Sequence, residues 1–128
     1  MTDAPRYHST TDKANAITKR RRHEIVADEI RKRPELVAAA LEIVGRMGNQ
    51  PQFEEWRELL QKPPHIVARE IVKRTENMDR LRIDSPFFLM REHGLDFTDE
   101  AERRALYRAA KAEAEADQSD VLMPTPSR

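Results

Sequence analysis

The sequence predicts an all-α fold, a small irregular helical bundle of five to six helices with disordered termini. Three observations predict it. Prolines fall at Pro34, Pro51, Pro64 and Pro86, each where an apolar pattern restarts. Proline suits the first turn of a helix and not its interior. Between the prolines, apolar residues recur at the three- and four-residue spacing of a helix face. No run alternates apolar and polar residues with β-branched enrichment, so no strand is expected.

The first nine residues carry no periodicity and read as a disordered lead. A first helix starts at Thr10 or Thr11 as N-cap and runs toward Arg33 on a thin stripe of Ala14, Ile17, Ile25, Val26 and Ile30. Pro34 opens a second, "PELVAAALEIVGRM", apolar around more than half its circumference and therefore central to the core. Gly48 and Asn49 end it. Pro51 opens a third, with Phe53, Trp56, Leu59 and Leu60 on one face. Pro63 and Pro64 stop it, and Pro64 begins a fourth that reaches Arg82. Ser85, Pro86 and Gly94 bracket a short helix carrying Phe87, Phe88, Leu89 and Met90. The last helix is capped by Thr98 or Asp99 and is rich in alanine. The expected organisation is one helical domain over 10–117, with its compact core at about 34–97 and charged helices at either end. A disordered tail is expected over 118–128.

Composition bounds the function classes. Apolar residues make up 38% and charged residues 36% of 128, a modest core with polar ends. There is no cysteine, so no disulfide, thiolate nucleophile or cysteine metal site is possible. The longest near-apolar run, 36–44, is interrupted by Glu42 and is far short of the roughly 20 residues a bilayer requires. The N-terminus has no apolar core of a signal peptide, and a cytoplasmic location is expected. Net charge is zero but uneven: residues 1–33 hold nine basic and five acidic groups, a net of +4. Residues 95–128 hold five basic and eight acidic groups, a net of −3. The two ends are suited to attract each other or separate partners.

Chemistry-bearing motifs are scarce. His8, His23, His65 and His93 show no metal-ligand spacing and read as surface or capping residues. Glu54 and Glu55 point to different sides of a helix. There is no nucleophile elbow, P-loop or dinucleotide fingerprint. No enzyme activity, cofactor or metal is expected.

Two features point to binding. Lys19, Arg20, Arg21 and Arg22 splay around most of a helical turn and suit phosphates, or else the acidic C-terminal region. A divergent helix-turn-helix over 53–82 would present Arg69, Lys73, Arg74 and Arg80 to DNA, although its turn lacks the common glycine. The second feature is apolar. Trp56 shares a face with Phe53 and Leu60, a core position first. Four consecutive bulky residues at 87–90 cannot all face one neighbour, because successive helical residues point about 100° apart. A second protein, or a second copy of the chain, is the expected occupant of the surplus.

Trp56, Leu59, Leu60, Leu81, Arg82, Ser85, Pro86 and Phe87 form a pattern W-x-x-L-L … R-L-R-x-x-S-P-F. Over about residues 34–90 it resembles small helical bacterial proteins of antitoxin or regulator type. Many of these have glycine soon after the phenylalanine, where this chain continues "FLM". The resemblance implies a non-catalytic protein-interaction module, the antitoxin-like or regulatory partner of another bacterial protein encoded nearby. The expected anchors are Trp56, Phe87, Phe88 and Met90, with Arg82 pairing a partner's carboxylates. The alternative is a DNA-binding transcriptional regulator using the 53–82 helices and Lys19–Arg22. No membrane partner is expected.

Overall fold

The computed structural model describes residues 9–122 and is all-helical over that span. Its elements are α1 (Thr10–Lys32), α2 (Glu35–Val44), α3 (Pro51–Leu60), α4 (Pro64–Glu70), α5 (Glu76–Ile83) and α6 (Glu100–Leu122). Two 3-10 turns, Pro86–Leu89 and Arg91–His93, lie between α5 and α6. Residues 1–8, with His8, and residues 123–128 lie outside the described span. The last helix runs five residues beyond the expected end at Asp117.

Local chemistry explains most boundaries. Ser9, not Thr10 or Thr11, caps α1: its hydroxyl accepts the Asp12 N–H at 3.1 Å. Pro51 and Pro64 occupy first-turn positions of α3 and α4, and Pro86 that of the first 3-10 turn. Asp99 Oδ1 accepts the Glu102 N–H at 2.8 Å at the start of α6. Gly94 ends the second 3-10 turn with a φ of 87°, which a β-carbon would disfavour. There Arg33 donates to the His93 carbonyl at 2.8 Å, tying the end of α1 to this turn. The α2 helix stops at Val44, earlier than expected, and tightens into i→i+3 bonds from Arg46 to Ile43 and from Met47 to Val44. Arg57 on α3 then donates to the Gly48 carbonyl at 2.6 Å.

One expected helix divides. The pattern from Pro64 to Arg82 is broken over 71–75, giving two short helices at a corner. Thr75 adopts an extended conformation and accepts the Met78 N–H at 3.1 Å, which starts α5 afresh. Arg82 closes the corner from below. Its guanidinium donates to the carbonyls of Ile71 (2.8 Å) and Lys73 (2.9 Å) and to Asp79 (2.8 Å). The Ile71 carbonyl is one that the end of α4 leaves without an internal donor, and the Lys73 carbonyl lies in the break itself. The second helix of the expected helix-turn-helix is therefore shorter than the sequence suggests: it is the seven-residue α4.

The apolar residues form two clusters. The larger joins Val26, Ala27 and Ile30 of α1 to α2–α5 and to Phe87, Met90 and Leu95. The core therefore extends past the expected 34–97 to include the second half of α1. Trp56 is fully enclosed, and its indole N–H donates to the Leu81 carbonyl at 2.9 Å. The smaller cluster joins Ala14 and Ile17 of α1 to Ala110 and Ala114 of α6, with Tyr107 beside them. The helices α1 and α6, each about 34 Å long, thus pair along the first half of α1 through mostly small side chains. Among the described residues, no helix is long and apolar enough to cross a membrane.

Candidate functional site

Four of the five expected partner anchors are interior. Trp56, Phe87, Met90 and Arg82 are all fully buried, so the expectation that they meet a partner is corrected. The physical reason is the 3-10 geometry at 86–89, together with the turn at Met90. It lets Phe87 and Met90 reach the core from one side while Leu89 points out at 59% exposure. Phe88 is half-buried and leads to a different site.

His23 sits against the 85–88 segment and corrects the expectation that all four histidines are surface or capping residues. It is fully buried, with Nδ1 2.7 Å from the Lys19 carbonyl and Nε2 2.7 Å from Ser85 Oγ. The carbonyl requires Nδ1 to carry the proton, so Nε2 accepts the Ser85 hydroxyl. Its ring stacks on Trp56 at 6.3 Å and meets Phe88 edge-on at 4.9 Å. Burial, only partly offset by the Lys19 carbonyl, lowers its pKa from 6.5 to about 3, with the nearby Arg82 and Arg22 charges adding to the effect. A serine hydroxyl at hydrogen-bond distance from a histidine is the geometry of a nucleophile and its base. Here Ser85 is buried and also accepts the Phe87 N–H at 3.2 Å. The pair pins α1 to the 85–90 segment.

The four cations at 19–22 part company. Arg20 is buried, and it and Arg21 both grip Glu113 on α6, at 2.9 and 2.7 Å. Burial alone would raise the Glu113 pKa, but the two arginines outweigh it and hold the carboxyl below its ordinary value. Lys13 and Asp117 add a 3.2 Å pair further along. This is the expected attraction between the basic and acidic ends.

Lys19 and Arg22 face the opposite side, into a groove of about 470 Å³ between α1 and α6. Asn15, Thr18 and Tyr107 line it, with Arg103, Arg104, Arg108 and Glu100 from α6. Five cations therefore share the groove with one carboxylate, and that carboxylate is engaged by Arg104 at 2.7 Å. Burial and then the Arg22 charge lower the Lys19 pKa; burial and then Arg103 lower that of Arg22. Arg22 lies against the rings of both Phe88 (5.8 Å) and Phe97 (5.9 Å), and its buried Nε makes no hydrogen bond within the described residues.

Arg69, Lys73 and Arg74 lie at the α4–α5 corner and do not line this groove. Arg69 and Lys73 both pair with Glu70, at 3.6 and 2.8 Å, and Arg80 pairs with Glu55 at 2.7 Å. Sequence reading missed Arg103, Tyr107, Arg104 and Arg108, although Arg103–Tyr107 and Arg104–Arg108 stand at i,i+4. Averaging charge over 95–128 hides them, because four of the six acidic groups of α6 lie in its second half. Among the described residues, no three of His, Asp and Glu come together in a way that would hold a metal ion.

No family model, curated protein or solved structure matches the chain. The resemblance carried by Trp56 to Phe87 rests on those residues alone.

Proposed function

We propose that the chain is a non-catalytic binding module whose working surface is the α1–α6 groove, and that its ligand carries phosphates. The observation that supports this is the crowding of Lys19, Arg22, Arg103, Arg104 and Arg108 around one concave space. Like charges brought together destabilise the empty protein, and burial, with a neighbouring cation adding to it, lowers the pKa values of Lys19 and Arg22. An anion relieves that repulsion, and binding it displaces counterions, so affinity falls as salt rises. Arg22, buttressed by two rings, is the fixed cation, and the α6 arginines are the adjustable ones. The test is calorimetry with inorganic polyphosphate across a salt series. Lys19→Gln combined with Arg103→Gln and Arg108→Gln is expected to weaken binding at least about tenfold and to flatten the salt slope. Arg69→Gln with Arg74→Gln is expected to do neither. Polyphosphate that fails to bind the wild-type protein at low salt removes this reading.

A second reading keeps the antitoxin-like or regulatory partner of another protein. One observation favours it: Leu89 stands 59% exposed beside Ile43 and Met47, in a shallow depression with Arg46, Glu92 and His93. An apolar side chain held out beside others is how a protein contact is made. A photo-crosslinking residue in place of Leu89 is expected to capture one defined protein in the native cell, with no product from the same probe at Glu58. Loss of the product on Met47→Asp ties it to this face. Identical products from both positions would remove the reading.

A further inference from the structure

We infer that the groove takes a single-stranded segment of nucleic acid, with phosphates on Lys19, Arg22 and Arg103 and a base on Tyr107. The inference rests on the proposed phosphate-binding role of the groove and adds the identity of the ligand.

Four observations support it. First, the cations line a concavity. Because α1 and α6 meet through Ala14, Ile17, Ala110 and Ala114, their backbones approach closely and leave a cleft, not a shelf. A B-form duplex, whose major groove alone is about 12 Å wide, meets only the rim of such a cleft. A lone phosphodiester strand fits inside. Second, Lys19 and Arg22 are half-buried, so they reach only a backbone that enters. Third, among the described residues the expected recognition element is poorly suited to reading a duplex. The α4 helix has seven residues, Arg69 on it and Lys73 just beyond its end pair with Glu70, and Arg82 is interior.

Fourth, Tyr107 supplies what a plain polyanion site has no use for. It packs against the alanine cluster and also lines the groove, so its ring is fixed in place. A fixed aromatic face among cations is the recurring way of holding single strands, since every base has a π-face. Asn15, at the exposed mouth, has the donor and acceptor pair that base edges require. Along α1 the site spans Asn15 to Arg22, about 10 Å. That accommodates about three stacked nucleotides at 3.4 Å each.

The experiment is fluorescence anisotropy with a labelled short oligothymidylate, competed by its duplex with oligoadenylate and by polyphosphate of equal phosphate number. The single strand is expected to bind at least about tenfold more tightly than either competitor. Tyr107→Leu, which keeps the apolar packing, is expected to cost about tenfold for the single strand and nothing for polyphosphate. Tyr107→Phe keeps the aromatic face and is expected to bind as wild type does. Circular dichroism establishes that each variant is folded. Equal binding of single strand and polyphosphate, with Tyr107→Leu inert for both, overturns the single-strand assignment and leaves the phosphate reading standing. Tighter binding of the duplex also overturns it. Absence of binding by all three probes overturns both.

Discussion

Arg82→Ala is expected to destabilise the protein by about 3 kcal/mol and to lower its midpoint temperature by about 10 °C. The guanidinium is wholly buried and supplies donors to two carbonyls at the α4–α5 break and to Asp79. Alanine leaves the Ile71 carbonyl without that donor in the interior, at about 1–3 kcal/mol, and adds the volume of a large vacated side chain. Asp79, whose side chain is 16% exposed, regains some solvation and softens the loss. Lysine is a poor substitute, since one ammonium cannot reproduce a planar fork that reaches three acceptors. Arg82→Lys is expected to recover less than half of the lost stability. Urea unfolding of the two variants beside wild type reads this directly. A loss below about 0.5 kcal/mol for alanine, the range of an ordinary surface substitution, would show that Arg82 does not hold the corner.

Lowering the pH from about 7.5 to about 5 is expected to remove about 2 kcal/mol of stability through His23 alone. Its pKa falls to about 3 on folding from an ordinary 6.5. Above 6.5 both states hold the neutral ring, and the group makes no pH-dependent contribution. Below 6.5 the unfolded chain binds a proton that the folded chain refuses, so stability declines by about 1.4 kcal/mol per pH unit. The decline ends near pH 3, where the folded ring also takes the proton. The carboxylates with lowered pKa values, Glu70, Asp96 and Glu113, start from lower ordinary values and act mainly in the acid part of this range. The interval between about pH 5 and 6.5 therefore isolates the histidine. His23→Gln keeps hydrogen-bonding capacity without a titrating group and is expected to abolish the slope there. An unchanged slope in that variant would sink the assignment.

The candidate site was half legible. Lys19 and Arg22 are legible as phosphate-binding cations, together with Arg20 and Arg21, because four adjacent cations are conspicuous. The split of that run into two pairs depends on α6, which places Glu113 on one side and Arg103 on the other. Trp56, Phe87 and Met90 stand out in the sequence by their size, but size does not tell interior from interface. A continuous α-helix over 86–90 would have forced some of them outward. The 3-10 turn started by Ser85 and Pro86, and the non-helical backbone at Met90, turn Phe87 and Met90 inward and leave Leu89 outside.

By itself the sequence determined the helical class and most of the helix starts, because prolines, caps and apolar spacing act within a turn or two of chain. Ser9, Pro51, Pro64, Ser85 and Asp99 set the backbone through bonds to residues two or three places away, or through a ring closed on its own nitrogen. Tertiary structure alone decided the rest. The break at 71–75 contains neither proline nor glycine and is held by a guanidinium about ten residues further on. The burial of His23 depends on Ser85, and the basic groove on an antiparallel partner more than eighty residues away. Such contacts depend on which surfaces meet after collapse, and a linear pattern carries only the local half of that information.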